Sequence, residues 1–592
     1  MVKILFGLIL FFSFGFSQQD IPNVWLTKAE RSNFIETARY EETLGFCRQL
    51  EKASSWIKII SIGKSGEGRE IPLLIVSKEN IFNPEKVYKS SKTVVLIQNG
   101  IHSGEIEGKD ASLMLLRDIV ITKKYPHLLD NTILLILPIY NVDGHERFNS
   151  YNRINQNGPA QMGWRTNATN LNLNRNYMKA DAPETRAFLK MFNTWLPDFF
   201  IDVHTTNGAD YQYALSYSID NSENMQQGVR TWINENIIKN VFTNMESSGY
   251  PLVPYVWFRN NMDLEKGIQG GVAPPRFSNG YPPLQNRPAL LIETHMMKDY
   301  KTRVEGVYHF ILTILENFHT DNGQLKKAVR NADAQTINGV ISPFPIRFET
   351  NSEADSINFL GYQAIVESSE VSGTNWIRWT NEPLDIKIPW FNKTKVTAAI
   401  EPPLAYLIPQ QWINVIDVLR YHGIDVERLK QPVEVDAEVY RLSDAKWQEK
   451  SYEGRHPVSY NVEKFTEKRK FPVGTFVVRL NQRLAKVAIH LLEPEAPDAL
   501  AFWGFFDAIF EQKEYAEAYV LEKLAREMLV ENAELKKEFE SKIASDTTFA
   551  KSPQARLNFF YERSPYWDTQ MNLYPVARVV SDVKFVTEPV KK

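Results

Sequence analysis

The chain has 592 residues, 43% of them hydrophobic and 23% charged, with a formal net charge of −3. That length exceeds one ordinary core and predicts roughly two to four domains of a globular protein. The near-balanced charge argues against nucleic-acid partners and a polybasic membrane surface, and the single cysteine, Cys47, excludes an intramolecular disulfide.

Lys3 precedes an apolar run over 4–16, and Gly15 and Ser17 offer small residues at the −3 and −1 positions of a cleavage point before Gln18. The run is too short to span a bilayer, so 1–17 reads as a secretory signal peptide, with an uncleaved anchor as the alternative. The expected location is therefore exported, periplasmic or extracellular, with no membrane span after cleavage. No cysteine follows the run to carry a lipid, and no later stretch is apolar enough to cross a membrane.

Residues 37–53 carry the pattern of an amphipathic helix, with Cys47 beside its apolar positions as a buried structural thiol. Segments 56–62 and 70–76 are strand-like and joined by the turn 63–69. Apolar runs at 94–97, 132–138, 199–204 and 289–293 have the texture of buried strands, and helical patterns lie at 108–120, 184–195 and 303–318. This alternation predicts an α/β fold: a mixed, largely parallel central sheet flanked by helices.

The ends of those strands carry the chemistry. Gln98-Asn99-Gly100-Ile101-His102-Ser103-Gly104-Glu105 follows the first run, His204 ends another, and Glu293 ends the last. Strand ends in an open α/β sheet share one edge, where ligands bind. His-x-x-Glu on a turn offers an imidazole nitrogen and a carboxylate oxygen to one divalent ion, and that donor mix suits zinc. Taken alone the spacing is common, and a lone His204 would more simply be a satisfied core histidine. Together they support a physical assignment: His102, Glu105 and His204 hold zinc, and Glu293 stays free as general base. Asp202 reads as a strand-end capping group or a support for a ligand. Downstream, Arg165 and the run Asn172-Leu173-Asn174-Arg175-Asn176-Tyr177 supply guanidinium and amide groups fit to bind a carboxylate. Without a metal site they would read as a solvated turn.

The ordered set His102-x-x-Glu105, Arg165, Asn174-Arg175, His204 and Glu293 resembles the zinc carboxypeptidase family of carboxypeptidases A and B over about residues 28 to 320. The resemblance implies one Zn2+ per chain and a peptide substrate with a free C-terminal carboxylate. It implies that Asn174 and Arg175 grip that carboxylate, Arg165 polarises the scissile carbonyl, and Glu293 is the base for a zinc-activated water. Two departures stand out. The family's Asp two residues before the Asn-Arg pair is Asn172, whose amide oxygen still accepts an imidazole N–H but carries no charge. The family's mobile tyrosine, about twenty residues before the catalytic Glu, has no counterpart at 270–276; Tyr281 is the nearest substitute, with Arg276 and Arg287 as weaker rivals for an acidic substrate group. His295 is assigned no role.

From residue 340 the texture changes. Short strand-like runs at 362–366, 376–379, 396–400, 433–440 and 474–480 predict a mostly β or α+β region, with helices at 411–422 and 514–542. The expected division is 1–17 signal, 18–325 catalytic, 326–430 β-rich accessory and 431–592 α+β. His422, His456 and His490 read as ordinary core or surface residues, and the aromatic cluster at 502–507 as core packing, with sugar stacking as the alternative. The leading functional expectation is an exported zinc peptidase removing C-terminal residues. Two alternatives stay open: a related zinc amidohydrolase acting on cell-wall peptides or acyl-amino acids, and a non-catalytic binding protein with a vestigial site. Neither the preferred terminal residue nor the oligomeric state is legible.

Overall fold

The computed structural model describes residues 21–206 and 209–590. The expected signal segment, 1–17, lies outside them. Nine strands are formed in the first half: β1 (Ile57–Lys64), β2 (Glu70–Val76), β3 (Thr93–Asn99), β4 (Thr132–Leu137), β5 (Phe199–Thr206), β6 (Leu215–Ile219), β7 (Leu252–Pro254), β8 (Ile268–Gln269) and β9 (Ala289–His295). All but β8 join one sheet in the order β1-β2-β4-β3-β5-β9-β6-β7. The inner strands β4, β3, β5 and β9 run parallel, whereas β1, β2 and β6 pair antiparallel with a neighbour.

The sequence dictates this arrangement through burial on both faces. Leu96 and Phe200 enter one apolar core, and Val95, Ile97, Ile201 and Val203 enter the other. Strands buried on both faces read as continuous apolar runs, and parallel neighbours need helical crossovers. Helices Glu107–Val120, Pro183–Trp195 and Tyr300–Asp321 supply apolar stripes to these cores. Cys47 is fully buried in the helix Tyr40–Ala53, where burial pushes its thiol up to about 12. It is an inert packing group.

The second half builds a seven-stranded antiparallel sheet from Ala405–Ile408, Glu427–Leu429, Val433–Trp447, Val458–Phe471, Phe476–Arg479, Ala577–Val579 and Thr587–Pro589. Because Ala405–Ile408 belongs to this sheet, the expected division at 430 does not coincide with a break in hydrogen bonding. The helix Gln324–Asn338 likewise adds Leu325, Val329 and Ala332 to the core of the first sheet, so that layer runs past 325. Between them stands a long hairpin, Asp355–Ser368 with Asn375–Phe391, whose base pairs with β8 through Trp390↔Ile268. The stretch expected as one helix over 514–542 is two, Ala518–Glu531 and Ala533–Ser545. Asn532 adopts extended backbone and its side chain caps the Leu535 N–H at 3.0 Å, which starts a new helix. The two sheets share one apolar core, with Tyr177 and Phe188 on one side and Ile416, Ile489 and Tyr574 on the other.

Candidate metal centre

Register explains why distant residues meet. In the parallel pair β5–β9, His204 lies opposite Glu293, and side chains directly across from each other share a face. Asp202, two residues before His204, emerges on that same face. The neighbouring strand β3 ends at Asn99, and Gly100, with φ of +67°, turns the chain so that His102 and Glu105 come back over the sheet edge. The left-handed conformation there favours glycine. The Glu105 N–H donates to the His102 carbonyl at 2.9 Å, which closes the turn and sets both side chains on one side.

The three side chains offer ligand atoms that all lie within 4.8 Å of one another. His102 Nδ1 is 3.1 Å from Glu105 Oε1, and His204 Nδ1 is 3.0 Å from Glu105 Oε2. The far nitrogens are held from behind. His102 Nε2–H donates to Asn172 Oδ1 at 3.0 Å, an oxygen that also accepts the Asn174 N–H. His204 Nε2–H donates to Asp202 Oδ2 at 2.6 Å, and Asp202 Oδ1 accepts from Gln98 at 3.0 Å. Both imidazoles therefore turn Nδ1 toward the shared carboxylate.

These residues fit a divalent cation. His102 Nδ1 is buried without a hydrogen-bond partner among the described residues, and burial, with Arg165 nearby, holds its pKa down to about 4. A neutral imidazole with a free lone pair is a metal donor. Burial would raise the Glu105 carboxyl, yet His102 and Arg153 hold it well below the usual range. Burial likewise opposes charge on His204, but the Asp202 and Glu105 carboxylates on its two nitrogens hold it well above the ordinary value. A cation held by the three groups would replace a proton as the partner of His204 Nδ1. Two imidazoles and one carboxylate are the donor set of a zinc site with an open position.

Glu293 is 7% exposed, and its Oε2 has no hydrogen-bond partner among the described residues. Burial, reinforced by the charges of Glu105 and Asp202, raises its pKa to about 8. A bound cation would favour its ionised form. Arg165, still well exposed, places Nη1 3.2 Å from Glu105 Oε1. Asn174 and Arg175 lie in the short turn Leu173–Arg175; the Asn174 Oδ1 accepts the Ser278 N–H at 2.8 Å, and the Arg175 guanidinium covers the Phe277 ring at 4.0 Å.

Tyr281 requires a correction. It is fully buried at the start of the helix Tyr281–Leu284, packed on Tyr177, and its hydroxyl is paired with His422 Nδ1 at 2.8 Å. A phenol locked into the core in this way does not swing to a substrate. Arg276 and Arg287 are also committed elsewhere, to Asp498 at 3.0 Å and Asp333 at 2.6 Å.

Two side chains beside the site were not singled out from sequence. Arg153 donates to Glu105 Oε1 at 2.8 Å from a loop without a recognisable pattern. Tyr255, just past β7, stands so close to Glu293 that the carboxylate's charge is the main force raising its phenol pKa, ahead of burial. It lies 38 residues before Glu293, outside the expected spacing. The intervening segment carries β8, which pairs with the hairpin.

Residues 43–247 match the family model described as zinc carboxypeptidase. The chain is 25% identical over 488 residues to carboxypeptidase 2 of Trichophyton rubrum, covering 78% of this chain and 83% of that protein. It is 26% identical over 490 residues to carboxypeptidase 2 of Trichophyton tonsurans, with the same coverage of 78% and 83%. Among solved structures, a metallo-carboxypeptidase from Burkholderia cenocepacia superposes with a TM-score of 0.35 at 16% identity, covering 47% of this chain and 69% of that one. The chain thus carries a segment, 43–247, that matches the zinc carboxypeptidase family, and over most of its length it is similar to curated carboxypeptidases; both support a zinc metallocarboxypeptidase, a hydrolase.

Proposed function

We propose that the protein is an exported exopeptidase that releases the C-terminal residue of peptides, with one zinc held by His102, Glu105 and His204 and with Glu293 as general base. The observation that carries this reading is the convergence of two Nδ1 atoms and a carboxylate near Glu293, whose Oε2 has no hydrogen-bond partner among the described residues. When bound, zinc supplies a Lewis acid that acidifies water and polarises a carbonyl. Glu293 takes a proton from the attacking water on its free Oε2 and returns it to the departing amine. The Arg165 guanidinium meets the negative charge that develops on the carbonyl oxygen. Arg175, supported by Asn174, binds the terminal carboxylate through a charge-assisted pair. Tyr255 places a phenol next to Glu293 and contacts the substrate at the same junction. Asp202 and Asn172 fix the imidazoles and hold Nδ1 inward.

Export rests on the apolar run and cleavage pattern of residues 1–17. Among the described residues, no helix is long and apolar enough to cross a membrane.

The test is digestion of a peptide library varied at its C-terminal residue, with free and amidated ends, with and without chelator, read by mass spectrometry. Single-residue shortening of free-acid peptides, abolished by chelator, is the expected result. Equal cleavage of amidated peptides would sink the exopeptidase reading.

A further inference from the structure

The strands Val433–Trp447 and Val458–Phe471 belong to the second sheet, yet the turn that joins them lands on the segment carrying Asn172, Asn174 and Arg175. The Tyr452 and Arg455 backbones exchange hydrogen bonds at 2.7 and 3.1 Å, and Glu453 and Gly454 between them have φ of +52° and +78°. That is a tight two-residue reversal of the primed kind. The φ of Gly454 is one that favours glycine, and a Cβ there would also press on Leu171 Cδ2 at 3.1 Å. Arg455 clamps the base with two bonds to Asp181, at 2.8 and 2.7 Å, and covers the Phe505 ring at 4.0 Å.

Two side chains at the tip reach further in. Glu453 Oε2 accepts the Asn172 N–H at 2.9 Å, and Asn172 in turn holds both His102 Nε2–H and the Asn174 N–H. The Tyr452 ring lies parallel to Trp503, 9° between planes and 6.0 Å between centroids. Burial holds the Arg175 pKa below the usual guanidinium value, the Tyr452 side chain opposes that shift, and the guanidinium covers the Phe277 ring at 4.0 Å. The two sheets already share an apolar core, so docking them does not require these polar contacts aimed at single atoms.

We propose that this turn is a working part of the substrate-carboxylate subsite: Glu453 is a positioning residue for the 172–175 segment, and Tyr452 is a positioning residue for the Arg175 guanidinium. The proposal rests on the exopeptidase reading for the role of Arg175. It makes the second sheet part of the active centre rather than an appended module.

The test uses the full chain with Glu453→Ala, Glu453→Gln and Tyr452→Phe. Steady-state kinetics on a free-acid peptide, metal content, and calorimetric binding of N-acetylphenylalanine against its amide are measured. Glu453→Ala and Tyr452→Phe are expected to raise KM about tenfold, with kcat and zinc content held within about threefold, because an orphaned donor or a loosened guanidinium weakens binding. Glu453→Gln keeps an oxygen for the Asn172 N–H and is expected to restore KM. The preference of the wild type for the acid over the amide should shrink in the first two variants. If Glu453→Ala does not fold, Tyr452→Phe decides, since it removes one oxygen. Unchanged KM and unchanged acid preference in Tyr452→Phe, or an equal loss in Glu453→Gln and Glu453→Ala, would overturn the proposal. If the wild type shortens no peptide yet the variants still lose acid binding, the exopeptidase reading fails and the positioning role stands.

Discussion

Replacing Asp202 by asparagine removes one negative charge from behind His204 and almost no volume. In the wild-type chain the Tyr177 hydroxyl bonds Gln98 Oε1 at 3.1 Å, so Gln98 must present its NH2 group to Asp202 Oδ1. The carboxylate accepts from both sides, with 2.6 Å on the His204 side. An amide cannot do so. If the substituted side chain turns its oxygen to His204, two NH2 groups face each other at Gln98. If it turns its oxygen to Gln98, its NH2 faces Nε2 and drives the ring proton to Nδ1, the nitrogen needed for metal. Partners behind a metal-bound histidine are worth roughly 10- to 100-fold in metal affinity, or about 1.4–2.7 kcal/mol. Zinc affinity, measured by competition with a chromophoric chelator, is expected to fall within that range in Asp202→Asn. Asn172→Ala should cost roughly tenfold or less, because the acceptor lost behind His102 is neutral. Thermal unfolding of the metal-free proteins checks that both variants fold. Zinc binding by Asp202→Asn within threefold of the wild type, or a larger loss in Asn172→Ala, would refute the orientation argument.

Tyr255→Phe is expected to raise KM about tenfold with full zinc content, whereas Tyr281→Phe should leave kinetics untouched and lower stability by about 1 kcal/mol through the lost bond to His422. The reverse pattern in kinetics would return the role to Tyr281. His490 is buried beside Phe344, neither ring nitrogen has a partner among the described residues, and burial with Lys486 nearby holds its pKa down to about 3. The unfolded chain binds that proton near pH 6.5, so folding stability is lost as pH falls below 6.5 and continues to be lost toward 3. From pH 6.5 to 5 this amounts to about 2 kcal/mol. His490→Leu should therefore lose less in thermal midpoint between pH 7 and pH 5 than the wild type, and equal losses would show that His490 is not a source of acid sensitivity.

The sheet was legible because its inner strands are buried on both faces; runs such as 132–137 cannot be exposed on either side. The meeting of His204 and Glu293 was legible for the same reason: both end such runs, and parallel register puts strand ends together. The amide at Asn172 was anticipated as the acceptor for a ligand, and it does accept from His102 Nε2. Tyr281 misled because proximity in sequence to Glu293 says nothing about which way a loop side chain turns; the Pro-rich helix Tyr281–Leu284 points it into the core. Tyr255 and Arg153 lie on irregular loops, where no periodicity fixes direction. The long hairpin over 355–391 extends well past the short apolar runs at 362–366 and 376–379, because its outer part is largely exposed and only residues near its base, such as Phe359 and Ile388, are buried. Contacts of the 452–455 turn join residues some 280 positions apart, and no local pattern encodes such a pairing.

The most direct measurement is metal content and turnover of Glu293→Gln on a free-acid peptide that the wild type shortens. Retention of one zinc per chain with turnover reduced by several orders of magnitude is the expected result, since the amide holds the shape of the site but takes up no proton from water. Near-normal turnover with zinc in place would remove Glu293 from proton transfer, and loss of zinc would make it a ligand rather than the free fourth group.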